Sequence, residues 1–104
     1  MATGIITFIS EDRTTATVID EKQNQYNYKG TALGPNKNVY DGVSFDIVNT
    51  NEATNIKVIT QTNVDSGTPT KGELAAMFAL VNQVNLRMGG KDGGVKVVIR
   101  TREI

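Results

Sequence analysis

Two hydrophobic rhythms divide this chain of 104 residues. Up to residue 60 the apolar positions fall in short β-branched or aromatic runs separated by polar turns. After residue 70 they recur at three- and four-residue spacing. Residues 4–10 (GIITFIS), 14–20 (TTATVID), 25–30 (QYNYKG) and 55–60 (NIKVIT) read as strands, and VYDGVSFDIV, 39–48, contains another. In that one Val43, Phe45 and Ile47 alternate with Ser44 and Asp46. EDR, EKQN and NTNEAT are turns, and Gly34-Pro35-Asn36 breaks the longer loop before residue 39. Five short antiparallel strands joined this way predict a small barrel or sandwich.

Residues 61–69 (QTNVDSGTP) read as a connector. Leu74, Met77, Phe78, Val81, Val84 and Met88 then mark a helix. Thr70 and Glu73 have the spacing of a capping box, and Gly89-Gly90 suits a helix stop. After a KDGG turn, VKVVIRTREI (95–104) reads as a last strand. Val95, Val97 and Ile99 would face one way, and Lys96, Arg100 and Arg102 the other. The expected organisation is a barrel over 1–60, a connector over 61–69 and a helix–strand extension over 70–104. That extension is too small to fold alone, so it must pack on the barrel or on a partner. Leu80 and Leu86 fall off the main apolar stripe, so the helix also suits a homodimer or a protein partner.

Tyr26 and Tyr28 flank Asn27. In a strand both rings share one face and Asn27 takes the other, which would be the core side. The rings are then either half-buried packing or a platform for flat ligands.

Composition narrows the chemistry. There is no cysteine and no histidine. Disulfides, thiol nucleophiles and thiolate zinc sites are therefore excluded, with every Ser/His or Cys/His arrangement. Glu11-Asp12 and Asp20-Glu21 lie in turns with no third ligand beside them, so no metal site is expected. MGGKDGG lacks the spacing of a phosphate-binding loop. The reading is a non-enzyme without a cofactor. No apolar run approaches the roughly 20 residues that span a membrane. Residues 1–10 have no basic leader, so a soluble cytoplasmic protein is expected. Net charge is +0, against a strong non-specific nucleic-acid binder. It divides unevenly: seven acidic and five basic residues before position 60, four and six after it.

The first half resembles the cold-shock domain, a five-stranded OB-fold barrel. GIITFISEDRTTATVID is similar to its first strand pair, roughly G-x-V-K-W-F, a turn, and K-G-F-G-F-I. NQYNYKGTAL resembles D-V-F-V-H-F-S-A-I. DGVSFDIV and ATNIKVI resemble the closing strands, over about residues 3–59 in all. The resemblance implies a mainly β, cold-shock-like barrel, here with a C-terminal helix and an additional strand. It also implies binding of single-stranded RNA or DNA by stacking of bases on aromatic side chains. The family tryptophan corresponds to Phe8. For Phe8 to face outward while Ile6 faces the core, the strand must twist or bulge between them. The second-strand lysine corresponds to Arg13, and the two phenylalanines of that motif to Thr15 and Thr17. On the third strand Tyr26, Tyr28 and Lys29 match Phe, His and Phe. Phe8, Tyr26 and Tyr28 would stack bases, and Arg13 and Lys29 would meet phosphates. Two lost platforms cost on the order of 2–6 kcal/mol. The implied binding is therefore weak and regulatory in character.

The alternative is a protein-interaction or inhibitor module. The barrel is then a retained scaffold, and residues 70–104 make the interface. The missing aromatics at Thr15 and Thr17 and the zero net charge suit it. Under that reading the Lys and Arg side chains are a solvated strand face.

Overall fold

The computed structural model describes residues 2–64, 70–88 and 95–99. The expected helix stop at 89–90, the turn at 91–94 and residues 100–104 lie outside the described residues. The elements are β1 (Ala2–Ile9), β2 (Thr15–Ile19), β3 (Gln25–Lys29), β4 (Gly42–Val48), β5 (Glu52–Val64), α1 (Lys71–Met88) and β6 (Val95–Ile99).

The strands lie in the order β3-β2-β1-β4-β5-β6, and β3 also pairs with β5. That last pairing, Asn27 beside Glu52, closes the first five strands into an OB-like barrel. The fold class is the expected one: mainly β, with a C-terminal helix and an added strand.

Short polar side chains make the turns. The Asp12 carboxylate accepts from the Ser10 hydroxyl and from the amide and hydroxyl of Thr14. Asp20 accepts from the amides of Lys22 and Asn24 between β2 and β3. Such local bonds are why Asp and Asn mark turns. Asn49 and Thr50 both have positive φ between β4 and β5. Asparagine tolerates that region, and a β-branched threonine is strained there. Asn55, with φ 52°, forms a bulge in β5, and its amide donates to Asp46.

The expected connector starts later than position 61. Residues 61–64 continue β5 because β6 lies beside them in parallel, from Thr60 opposite Val95 to Val64 opposite Ile99. A polar stretch such as QTNV carries no apolar period. It is a strand only because β6 supplies backbone partners 35 residues away.

Two layers of core share the same strands. Ile6, Val18, Tyr26, Val43, Phe45, Ala53, Ile56 and Val58 fill the barrel. Ile5 packs outside it against Met77 and Phe78, with Ile19, Tyr40 and Leu74 beside them. Ile59 meets Val81 and Val84. Neighbours on a strand point to opposite faces, so fully buried Ile5 and Ile6 mean that β1 is covered on both sides. The helix stripe expected from Met77, Phe78, Val81 and Val84 is the face it buries. Its capping box forms: Glu73 N–H donates to the Thr70 hydroxyl at 3.2 Å, and Thr70 N–H to the Glu73 carboxylate at 2.8 Å. Asn82 ties the helix to the barrel. It accepts from the Thr3 hydroxyl and donates to the Glu21 carboxylate. At Gly42 the helix comes so close that a Cβ would overlap Val81 and Thr60.

Candidate functional site

The helix covers the outer surface of the barrel around β4, β5 and Ile5 of β1, with Ile19 of β2 beside it, and leaves open the outer surface around Phe8, the start of β2 and β3. β1 changes face within two residues. Ile6 pairs with Val18, but Phe8 pairs with Thr17, so the register slips by one at Thr7. That bulge lies where the sequence requires a twist or a bulge for Phe8 to face outward. The ring is 52 % exposed. Across the sheet from it lie Thr17 and then Asn27, in one row. Thr15 and Lys29 form the next row along.

Phe8, Thr15, Thr17, Asn27 and Lys29 line a shallow hollow of about 310 Å³, together with Ala16 and Tyr28. A second hollow of about 540 Å³ continues from Asn27 and Lys29 to Val48, Asn51 and Glu52 at the β4–β5 end. The two share Asn27 and Lys29, so one groove runs from Phe8 to Val48. Asn27 sits where the barrel closes, its own N–H donating to the Asn51 carbonyl at 2.9 Å. Val48 is 41 % exposed and Ile47 46 %. The alternation read along β4 therefore stays in the core only to Phe45.

The structure corrects the expectation for β3. Tyr26 is 8 % exposed and packs its ring on Phe45, with centroids 5.2 Å apart. Its hydroxyl donates to Asp20 at 3.0 Å. Tyr28 is half-buried against the same core, with its hydroxyl donating to the Thr31 carbonyl, and it still lines the hollow beside Phe8. Asn27, expected to face the core, faces out. The signal that reverses the parity is the turn length. Ile19 pairs with Gln25 across the loop of residues 20–24, so Val18 falls opposite Tyr26, and Val18 is a core position. Asn27, expected inside, joins the groove, as do Val48, Asn51, Glu52, Ala53 and Thr54, none of which the sequence singled out as a site residue.

Arg13 is corrected as well. Its side chain does not point to the groove as a free cation. Nε donates to the Leu33 carbonyl at 3.0 Å, and Nη2 to the carbonyls of Gly34 and Lys37. It pins the loop between β3 and β4. Lys29 is the cation that lines the groove, and Glu52 lines it next to Asn27. Among the described residues no hydrogen bond or ion pair engages the side chains of Thr15, Thr17, Asn27 or Lys29, so the groove's polar groups are available to a ligand.

Titration is shifted at Asp12, Asp20 and Tyr26. The Asp20 carboxyl is held below its ordinary value. Its partial burial acts the other way, and is outweighed by bonds from the Asn24 side chain and amide, the Tyr26 hydroxyl and the Lys22 amide. The same contact raises the Tyr26 phenol, chiefly through its hydrogen bond to Asp20. Asp12 is lowered, first by the Thr14 amide.

No family model matches this chain, and neither does any curated protein or solved structure. The small OB-like barrel is a binding architecture rather than an enzyme class. Among the described residues no group of three acidic side chains could hold a metal ion. No helix there is long and apolar enough to cross a membrane.

Proposed function

We propose that the groove binds single-stranded nucleic acid weakly, as a cold-shock-like regulatory module. The observation that carries this reading is Phe8: a large ring, half exposed, placed by a bulge on the outer β1–β3 surface. Oligonucleotide-binding OB barrels use this strand face together with the neighbouring loops. A ring held there without apolar cover suits a base stacked on it. Lys29, two residues from Asn27 along β3, suits a phosphate. Thr15, Thr17 and Asn27 supply hydrogen bonds between them. One exposed ring and one lysine imply modest affinity. Salt dependence should be shallow, near the −0.7 slope of one phosphate contact on a single strand.

The test is fluorescence anisotropy of labelled random single-stranded RNA and DNA at about 50 mM and about 200 mM salt. Binding in the micromolar range or weaker that falls in Phe8→Ala is expected. Absence of binding by the unmodified protein at high concentration would sink the proposal, and attention would then move to the exposed side of the helix. A homodimer or protein partner through residues 70–104 remains the second proposal. Leu80, off the main stripe, is half-buried against Ile59, Val81 and Val84, so what motivates this reading is the extension's small size. Light scattering for a dimer at micromolar concentration tests it.

A further inference from the structure

The single-strand reading leaves the choice between RNA and DNA open, and the floor of the groove bears on that choice. We infer that the groove prefers RNA, through the 2′-hydroxyl of a ribose lying over Thr17 and Asn27; this rests on the proposal above.

Phe8, Thr17 and Asn27 are opposite one another on three adjacent strands. Neighbouring strands are about 4.8 Å apart, so the three backbone positions span about 10 Å. A base stacked on Phe8 has its sugar next along this row, over Thr17 and Asn27. Its phosphate then lies toward Lys29, two residues on. The groups under the sugar are a hydroxyl and a carboxamide, and each can donate and accept. A 2′-hydroxyl also does both, and it is the group that separates ribose from deoxyribose. Neither side chain has a hydrogen-bond partner among the described residues, so neither must break a protein contact to meet it. A deoxyribose presents a CH₂ there and leaves the same two groups facing carbon after their water has been displaced. With one exposed ring and one cation, the face has little sequence-independent attraction to mask that difference.

The experiment measures full-length protein against octamers matched in base: U8 RNA against dU8 DNA, and A8 against dA8. Each pair differs only at the 2′ position. The expected preference for RNA is about three- to tenfold, the size of one or two neutral hydrogen bonds. In the Thr17→Val, Asn27→Ala double variant the RNA-to-DNA affinity ratio should fall to about one. Valine keeps the shape and strand preference of threonine, and thermal melting of the variant checks that the barrel is intact. Equal affinity of the unmodified protein for both members of each pair overturns the inference while leaving single-strand binding standing. A preference that survives in the double variant also overturns it. Binding to none of the four oligonucleotides overturns the underlying proposal and this one together.

Discussion

The barrel has two outer faces, and β1 and β2 contribute to both. On the covered face Ile5 and Ile19 pack under Met77 and Phe78, and Ile59 under Val81 and Val84. On the open face Phe8, Thr15, Thr17, Asn27 and Lys29 meet solvent. The outward residues of β2 run Thr15, Thr17, Ile19, and the change from polar to apolar marks the edge of the helix's cover. Apolar residues that the helix covers stabilise the fold. An apolar residue left outside that cover, as Phe8 is, contributes little to folding and is free to contact something else.

Replacing the aromatic ring on each face tests this division most directly. Phe78→Ala should cost about 3–5 kcal/mol in urea unfolding, as large-to-small changes in packed cores do. Phe8→Ala should stay within about 0.5 kcal/mol of the parent, like other surface changes. Similar losses in the two variants would erase the distinction between the faces.

Gly42→Ala probes the covered face by overpacking. A methyl group has no room between Val81 and Thr60. A loss of about 1–3 kcal/mol is expected, with α1 displaced. A neutral result would mean that the helix is not held tightly on β4.

Arg13→Ala sharpens the assignment of the cations. It removes the bonds to the Leu33, Gly34 and Lys37 carbonyls, at a cost of about 1–2 kcal/mol. Hydrogen exchange should accelerate in the loop of residues 31–41. The salt slope of oligonucleotide binding should not change, whereas Lys29→Ala should flatten it.

The smallest effect concerns pH. Asp20 binds its proton less readily folded than unfolded, so its contribution to stability is present above the unfolded value of about 4. That contribution is lost as pH falls through the lower folded value. The raised Tyr26 phenol works the other way. Its contribution is present below about pH 10 and is lost as pH rises through the higher folded value. Asp20→Asn should therefore flatten the acid limb of the stability curve. Tyr26→Phe should flatten the alkaline limb. An unchanged acid limb in Asp20→Asn would mean that the turn network adds no stability at neutral pH.

Much of this molecule follows from local pattern. The strand runs, the capping box at Thr70 and Glu73, and the helix stripe at Met77, Phe78, Val81 and Val84 are each set by side-chain spacing and by hydrogen bonds reaching a few residues. Between Ile6 and Phe8 the sequence left a twist or a bulge open, and only if Phe8 faces outward as the cold-shock resemblance implies; the register shift makes it a bulge. The tertiary structure decided what depends on partners far along the chain. Tyr26 turned inward because pairing across the loop of residues 20–24 set it opposite Val18. Arg13 became a loop anchor because three carbonyls 20 or more residues away converge on it. Residues 61–64 became strand because β6 came to lie beside them. Alternation along a strand identifies two faces without saying which one is inside. Only the pairing of strands, and the helix that covers one side of the barrel, makes that choice.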